Sequence, residues 1–309
     1  MIKKQASITA LVTAFVRAYH VMHDEPKIFD DFIADRFFTD QERSFFAGNL
    51  ALALKFLDPE LYSKCDNEEA AMAGFMRAHT AAVTLARSGY AEDKLKKYYE
   101  QGIRQYVLLG AGMDTFAFRD SGGLEGLRIF EVDYPATQEM KYKRLLAAGL
   151  KVPENLCFVP VDFEEGNLAE VLQKSGFRTD EPAFFSWLGV TYYLTIDAVF
   201  STFGQVVRIA EDGSAMTFDY LEKEAFDSEK SSDKFKRVLS FMKNTGEPMI
   251  SGFEPAGLKS SLAGMGLFIE DDLDSKDIDR KIIGVRHEGY RAPEYFHFAT
   301  GRIDKKQLK

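Results

Sequence analysis

Cysteine is nearly absent: Cys65 and Cys157 are the only two in 309 residues. Two thiols so far apart build neither a disulfide framework nor a Cys-based zinc site, and they suit a reducing cytoplasm. Basic charge is in deficit, with 39 Lys and Arg against 48 Asp and Glu and a formal charge of −9. A surface that neutralises nucleic-acid phosphates needs clustered cations, so nucleic acid is not an expected partner. The longest basic cluster, in EDKLKKYYE, is broken by Leu95 and reads as a solvated helix face. Long apolar runs are missing too, which argues against a membrane partner. The opening MIKKQASITALVTAFVRAYH imitates a secretory leader, but Arg17 and His20 interrupt it and no small-residue cleavage site follows. An amphipathic helix is the better reading.

What is present is an ordinary globular composition, 46% hydrophobic, enriched in aromatics by 27 Phe and 13 Tyr. Apolar residues recur at helical spacing over 8–22, 31–37, 43–57 and 70–85. After residue 103 the pattern changes to short apolar runs separated by turns and helical stretches, the signature of repeated βα units. The runs are YVLLG at 106–110, RIFEVD at 128–133, CFVPVD at 157–162, AFFSWLGV at 183–190 and AMTFDY at 215–220. Three further strand candidates follow at 267–269, 280–285 and 295–300. The expectation is a single α/β domain over 1–309, with a helical cap over 1–100 and a cofactor-binding core over 101–309.

In open parallel sheets ligands sit beyond the carboxyl ends of the strands, so the strand-end residues carry the functional reading. After the first run stand Gly110, Ala111, Gly112, Met113 and Asp114. Glycines permit a tight turn and close approach of a ligand to the backbone. Asp133 ends the second run, where an acidic side chain accepts both ribose hydroxyls of a nucleotide, and Tyr134 follows it. Pro135 next to it leaves open a helix-capping role for Asp133. Asp162 and Phe163 end the third run. A dinucleotide needs its pyrophosphate at the first turn and a third glycine there. Asp114 would repel a pyrophosphate and attract an α-ammonium group. S-adenosylmethionine, with an adenosine, an α-ammonium group and no phosphate, suits these positions.

QYVLLGAGMDTFAFR, RIFEVDYPATQEMKYKRL, FVPVDF and FFSWLGVTYYLT resemble the bacterial branch of the leucine carboxyl methyltransferase-like family of class I S-adenosylmethionine-dependent methyltransferases. The resemblance implies a Rossmann-like α/β fold: a mostly parallel seven-stranded sheet with an antiparallel C-terminal strand, plus the helical N-terminal cap. It implies that Gly110, Ala111, Gly112 and Asp114 line the methionine part, that Asp133 with Tyr134 holds the ribose, and that Asp162 and Phe163 hold the adenine. Trp187 and Leu188, toward the end of the fourth run, would complete the cofactor site. Arg77, in GFMRAHT, matches the family arginine that pairs with the cofactor carboxylate, a contact suited to a guanidinium. Two positions depart from the pattern: Phe116 stands where relatives have Arg, and Leu188 where many have Glu.

An ionised carboxylate acceptor needs no general base, whereas a hydroxyl acceptor does. None of the five histidines, His20, His23, His79, His287 and His297, sits in a catalytic or metal-binding motif. No catalytic base or metal ligand is therefore assigned. The leading expectation is O-methylation of a carboxylate or hydroxyl on a small molecule. An NAD-type oxidoreductase and a cofactor-binding protein without turnover are the alternatives, and no residue pattern speaks to the oligomeric state.

Overall fold

The computed structural model describes residues 6–78, 81–119, 123–164, 166–284 and 289–308. His79 and His287 lie outside the described residues. Seven strands form one sheet: β1 (Gln105–Leu109), β2 (Arg128–Asp133), β3 (Leu156–Pro160), β4 (Phe184–Trp187), β5 (Ala215–Leu221), β6 (Leu267–Leu273) and β7 (Phe296–Ile303). Their order is β3-β2-β1-β4-β5-β7-β6. β1 through β5 pair in parallel, and β7 runs antiparallel to both β5 and β6. The expected fold class is the observed one.

The central strands are apolar along their length because helices cover both faces of the sheet. All five residues of β1 and all seven of β5 are buried. Val107 and Leu109 face one layer, with Leu172, Val206 and Leu262 from the helices Leu168–Lys174, Ile196–Ile209 and Pro255–Met265. Tyr106 and Leu108 face the other, against Leu95 and Tyr98 of the helix Ala81–Glu100. The basic cluster expected as a solvated face sits on this helix, where Lys94 pairs with Asp271 at 2.7 Å.

The N-terminal helices Ile8–His23, Asp40–Leu57 and Glu68–Ala78 pack as a further layer. Ser7 caps the first by accepting from the Ala10 N–H, and Thr39 with Glu42 forms a capping box on the second. Their apolar faces join the sheet's C-terminal strands in one buried cluster that includes Phe15, Phe46, Phe296 and Phe298.

Three elements differ from the sequence expectation. Only Ala34–Phe37 of 31–37 is helical, as a 3-10 turn. The helix expected over 70–85 belongs to two helices, Glu68–Ala78 and Ala81–Glu100. Asp279–Ile283 forms a π-helical turn rather than a strand, since its short apolar pair Ile282 and Ile283 packs into the cap cluster from a helical turn. Short apolar runs do not distinguish the two by periodicity.

Candidate functional site

Chain order reverses between β1 and β4, so the crevice beyond their carboxyl ends is where an open sheet takes a ligand. A deep pocket opens there. Gly110, Ala111, Gly112, Asp114, Asp133, Tyr134, Asp162, Phe163 and Leu188 all line it, so the structure brings together nine of the eleven residues selected from the sequence.

The first turn needs its glycines. Gly110 and Gly112 have φ of +72° and +51°. A β-carbon on Gly110 would come within 2.3 Å of Val190 Cγ2, and one on Gly112 within 3.2 Å of Ala10 Cβ. The Gly110 and Ala111 N–H groups both donate to the Val132 carbonyl, at 2.8 and 3.1 Å, which ties the turn to β2. Asp133 then receives the Gly112 N–H at 2.5 Å and the Tyr134 N–H at 2.6 Å. Tyr134, not Asp133, is the N-cap residue of the following helix. Burial pushes the Asp133 carboxyl up to about 6 despite these two donors. Asp114 accepts from the Phe116 N–H at 2.7 Å and Asp162 from the Glu164 N–H at 2.9 Å, each closing its own turn.

Two expected site residues lie elsewhere. Arg77 is exposed and lines a separate surface depression with Tyr19, His23 and Glu69. Trp187 is fully buried on the opposite face of β4, against Phe203 at 5.2 Å and behind Phe163 at 6.2 Å. Side chains alternate along a strand, so Ser186 faces the pocket and Trp187 faces away.

Among the described residues, the pocket's cations are Arg17 and Arg87, which sequence reasoning passed over. Arg87 ion-pairs with Asp219 of β5 at 3.0 Å and donates to the Tyr192 hydroxyl at 2.9 Å. Burial works against its charge, but Tyr192 and Asp219 outweigh burial and keep it protonated. The other Asp219 oxygen accepts from the Gly189 N–H at 2.6 Å, fixing the turn after β4 where Leu188 stands. The available signal was composition: Arg87 in AAVTLARSGYA and Asp219 in AMTFDYL are lone charges within apolar runs, and such charges are seldom buried unless paired.

Arg17, from the first helix, binds Asp31 at 2.7 Å and donates to the Met113 carbonyl at 2.6 Å. Asp31 also accepts from Thr115 at 2.5 Å. Arg119 donates to Thr115 at 2.9 Å and pairs with Glu92, itself a pocket residue. This chain of ion pairs clamps the glycine turn from below. On the outer side, the Thr9 N–H donates to Glu247 at 3.1 Å, and the Thr9 hydroxyl bonds to the same oxygen.

A seven-stranded sheet of this order, with carboxylates after β2 and β3 and an aspartate in place of a third glycine, defines a Rossmann-like methyltransferase. The leucine carboxyl methyltransferase profile matches residues 10–207, and the chain belongs to that family. A Bacillus subtilis (strain 168) protein, YktD, described as a candidate S-adenosyl-L-methionine-dependent methyltransferase, is 34% identical over 299 residues, spanning 96% of this chain and 98% of its own. A similarly described Parafrankia protein is 32% identical over 212 residues, 68% of this chain and 62% of the relative. A DUF574-family crystal structure from Streptomyces avermitilis shares the fold, with a TM-score of 0.58 at 14% identity over 97% of this chain and 98% of that one. A candidate methyltransferase structure from Thermobifida fusca shares it with a TM-score of 0.55 at 15% identity, covering 98% and 97%. Family membership sets aside the NAD-type reading.

Proposed function

We propose that this S-adenosylmethionine-dependent methyltransferase delivers its methyl group to an oxygen of a small molecule, a carboxylate before a hydroxyl. The observation that supports an acceptor already ionised is the make-up of the pocket. Among the described residues, no histidine lines it. His20 is bound to Asp24 and to the Ile28 N–H, His23 to the Tyr19 carbonyl, and His297, on β7, to Asp272 and Glu222. A carboxylate acceptor requires no proton removal at neutral pH, and a hydroxyl acceptor does.

The residues present fit the cofactor. Each Asp133 oxygen receives one backbone donor and, as a carboxylate oxygen, has capacity for about one more, which suits a ribose diol. Asp114 at the glycine turn matches an ammonium group and opposes a phosphate. When bound, the cofactor supplies an activated methyl group on a sulfonium. In this reading Asp133 holds the ribose, Asp162 and Phe163 the adenine, and the Gly110–Gly112 backbone the methionine part. Arg87 takes over the carboxylate-binding role expected of Arg77. The first helix, with Ala10 on Gly112 and Thr9 on Glu247, excludes water from the displacement and helps align the acceptor oxygen with the methyl carbon.

Calorimetry with S-adenosylmethionine, S-adenosylhomocysteine and NAD, followed by labelled-methyl transfer over a panel of acids, phenols and amines, tests the reading. Binding of the first two ligands and label on an oxygen are expected. Label carried only by nitrogen, or cofactor binding with no transfer to any acceptor, would overturn it.

A further inference from the structure

The outer wall of the pocket contains a carboxylate that the cofactor reading does not use. Glu247 comes from the GEPMISGF loop and lines the pocket beside Thr9, Tyr193 and Leu194. One of its oxygens, Oε2, is held by both donors of Thr9, the backbone N–H at 3.1 Å and the hydroxyl. No ion pair joins Glu247 to any cation among the described residues. Arg17 and Arg87, the cations that line the same pocket, are occupied by Asp31 and Asp219. The next residue after Thr9 is Ala10, whose Cβ stands over Gly112, so Glu247 belongs to the side of the pocket next to the glycine turn.

A half-buried carboxylate anchored through one oxygen, lining a pocket and with no cation paired to it among the described residues, is complementary to a positive group on a ligand. Two hydrogen bonds from Thr9 to a single oxygen orient the group and occupy the lone pairs on that side. The surroundings are compatible with an ammonium group: Tyr193 contributes an aromatic wall, and Leu194 with Val190 contributes apolar surface.

We propose that Glu247 is a specificity-determining residue that pairs with an ammonium group on the methyl acceptor, so that the acceptor is a small amino acid-type zwitterion methylated on its carboxylate. This inference rests on the O-methylation reading and names its substrate class. Methyl transfer to the acceptor carboxylate breaks the sulfonium carbon–sulfur bond and forms a carbon–oxygen bond. The bonding pair leaves with sulfur, yielding S-adenosylhomocysteine and a neutral ester group, and no proton is displaced. The ammonium group contacts Glu247 throughout and takes no part in the bond changes.

The test uses the full chain saturated with S-adenosylhomocysteine, as wild type and as Glu247→Gln, which keeps the shape and an oxygen for Thr9. Amino acids with aliphatic, aromatic and polar side chains, each paired with its deaminated acid, are titrated by calorimetry. They are then offered with labelled S-adenosylmethionine. At least one amino acid is expected to bind more than tenfold tighter than its deaminated partner and to be methylated on oxygen. Glu247→Gln is expected to erase that preference while leaving S-adenosylhomocysteine affinity within twofold. Equal or tighter binding of the deaminated acids, no binding by any amino acid, or a preference that survives Glu247→Gln would overturn the inference. So would a loss of S-adenosylhomocysteine affinity in the variant, which would assign Glu247 to the cofactor. Oxygen methylation of plain acids with no dependence on Glu247 would sink the inference alone and leave the O-methylation reading standing.

Discussion

Arg87 and Asp219 meet at 3.0 Å beneath the turn that follows β4, and the same aspartate holds the Gly189 N–H at 2.6 Å. One buried carboxylate thus fixes both a pocket cation and the backbone from which Leu188 projects.

Arg87→Ala should therefore lower both fold stability and cofactor affinity. Removing one member of a buried pair costs about 3–5 kcal/mol, because the partner is left uncompensated. The affinity for S-adenosylhomocysteine should fall by a further 1.5–3 kcal/mol or so, the worth of a hydrogen bond to a charged group. Arg77→Ala, on the exposed face of its helix, should leave both within error. Denaturant unfolding and calorimetry on the two variants distinguish them, and an affinity loss confined to Arg77→Ala would restore that residue to the site.

Gly110→Ala combines two separable costs. A left-handed φ of +72° costs a non-glycine residue roughly 1–2 kcal/mol. The new β-carbon at 2.3 Å from Val190 Cγ2 adds an overpacking cost of about 1–3 kcal/mol. Val190→Ala in the same chain should recover the second part only. Unfolding free energies for the two single variants and the double variant give the split, and full recovery would mean that backbone conformation contributes nothing.

Asp133 should give cofactor binding a pH dependence. Its carboxyl is pushed from 3.8 up to about 6, and the ionised form is the one with full acceptor capacity for ribose hydroxyls. Affinity is therefore expected to weaken as pH falls through about 6. Asp133→Asn should flatten that profile and bind about 1–3 kcal/mol more weakly at neutral pH, the cost of an imperfectly satisfied buried polar contact. Calorimetry from pH 5 to pH 8 checks both expectations.

Glu131 and Lys141 form a buried ion pair on the β2 side of the sheet, and Glu131 Oε1 has no hydrogen-bond partner. Burial outweighs Lys141 and pushes the Glu131 carboxyl from 4.5 up to about 7. An acid whose pKa rises on folding binds more protons in the folded state, so its contribution to stability falls as pH rises across that window. Between pH 6.5 and 7.5, above the midpoint of about 6 for Asp133, wild-type unfolding free energy should decline. Glu131→Leu combined with Lys141→Met should remove that slope without net loss of stability, since apolar replacement of a buried pair is often neutral or favourable. A slope unchanged in the double variant would place its origin elsewhere.

The glycine-turn side of the pocket was legible in the sequence because its determinants are local. A glycine turn after an apolar run and an aspartate at the end of the next run each carry their own signal, and topology brings them together. The arginine was not legible in the same way. Arg77 and Arg87 both lie in helical stretches before β1, and only packing against Asp219 decides which one reaches the pocket. Trp187 was misplaced by one residue of strand alternation, for want of knowing which face of β4 looks inward. Thr9 and Glu247 are 238 positions apart and meet only through the tertiary fold.

Phe15, near the start of the chain, and Phe298, near its end, share one buried cluster. The opening helix is consequently no detachable visor. Shortening the chain at its beginning would open a hole in that shared cluster, so this catalyst is not modular: an engineer could not swap its cover for another without also repacking the core it shares with the sheet.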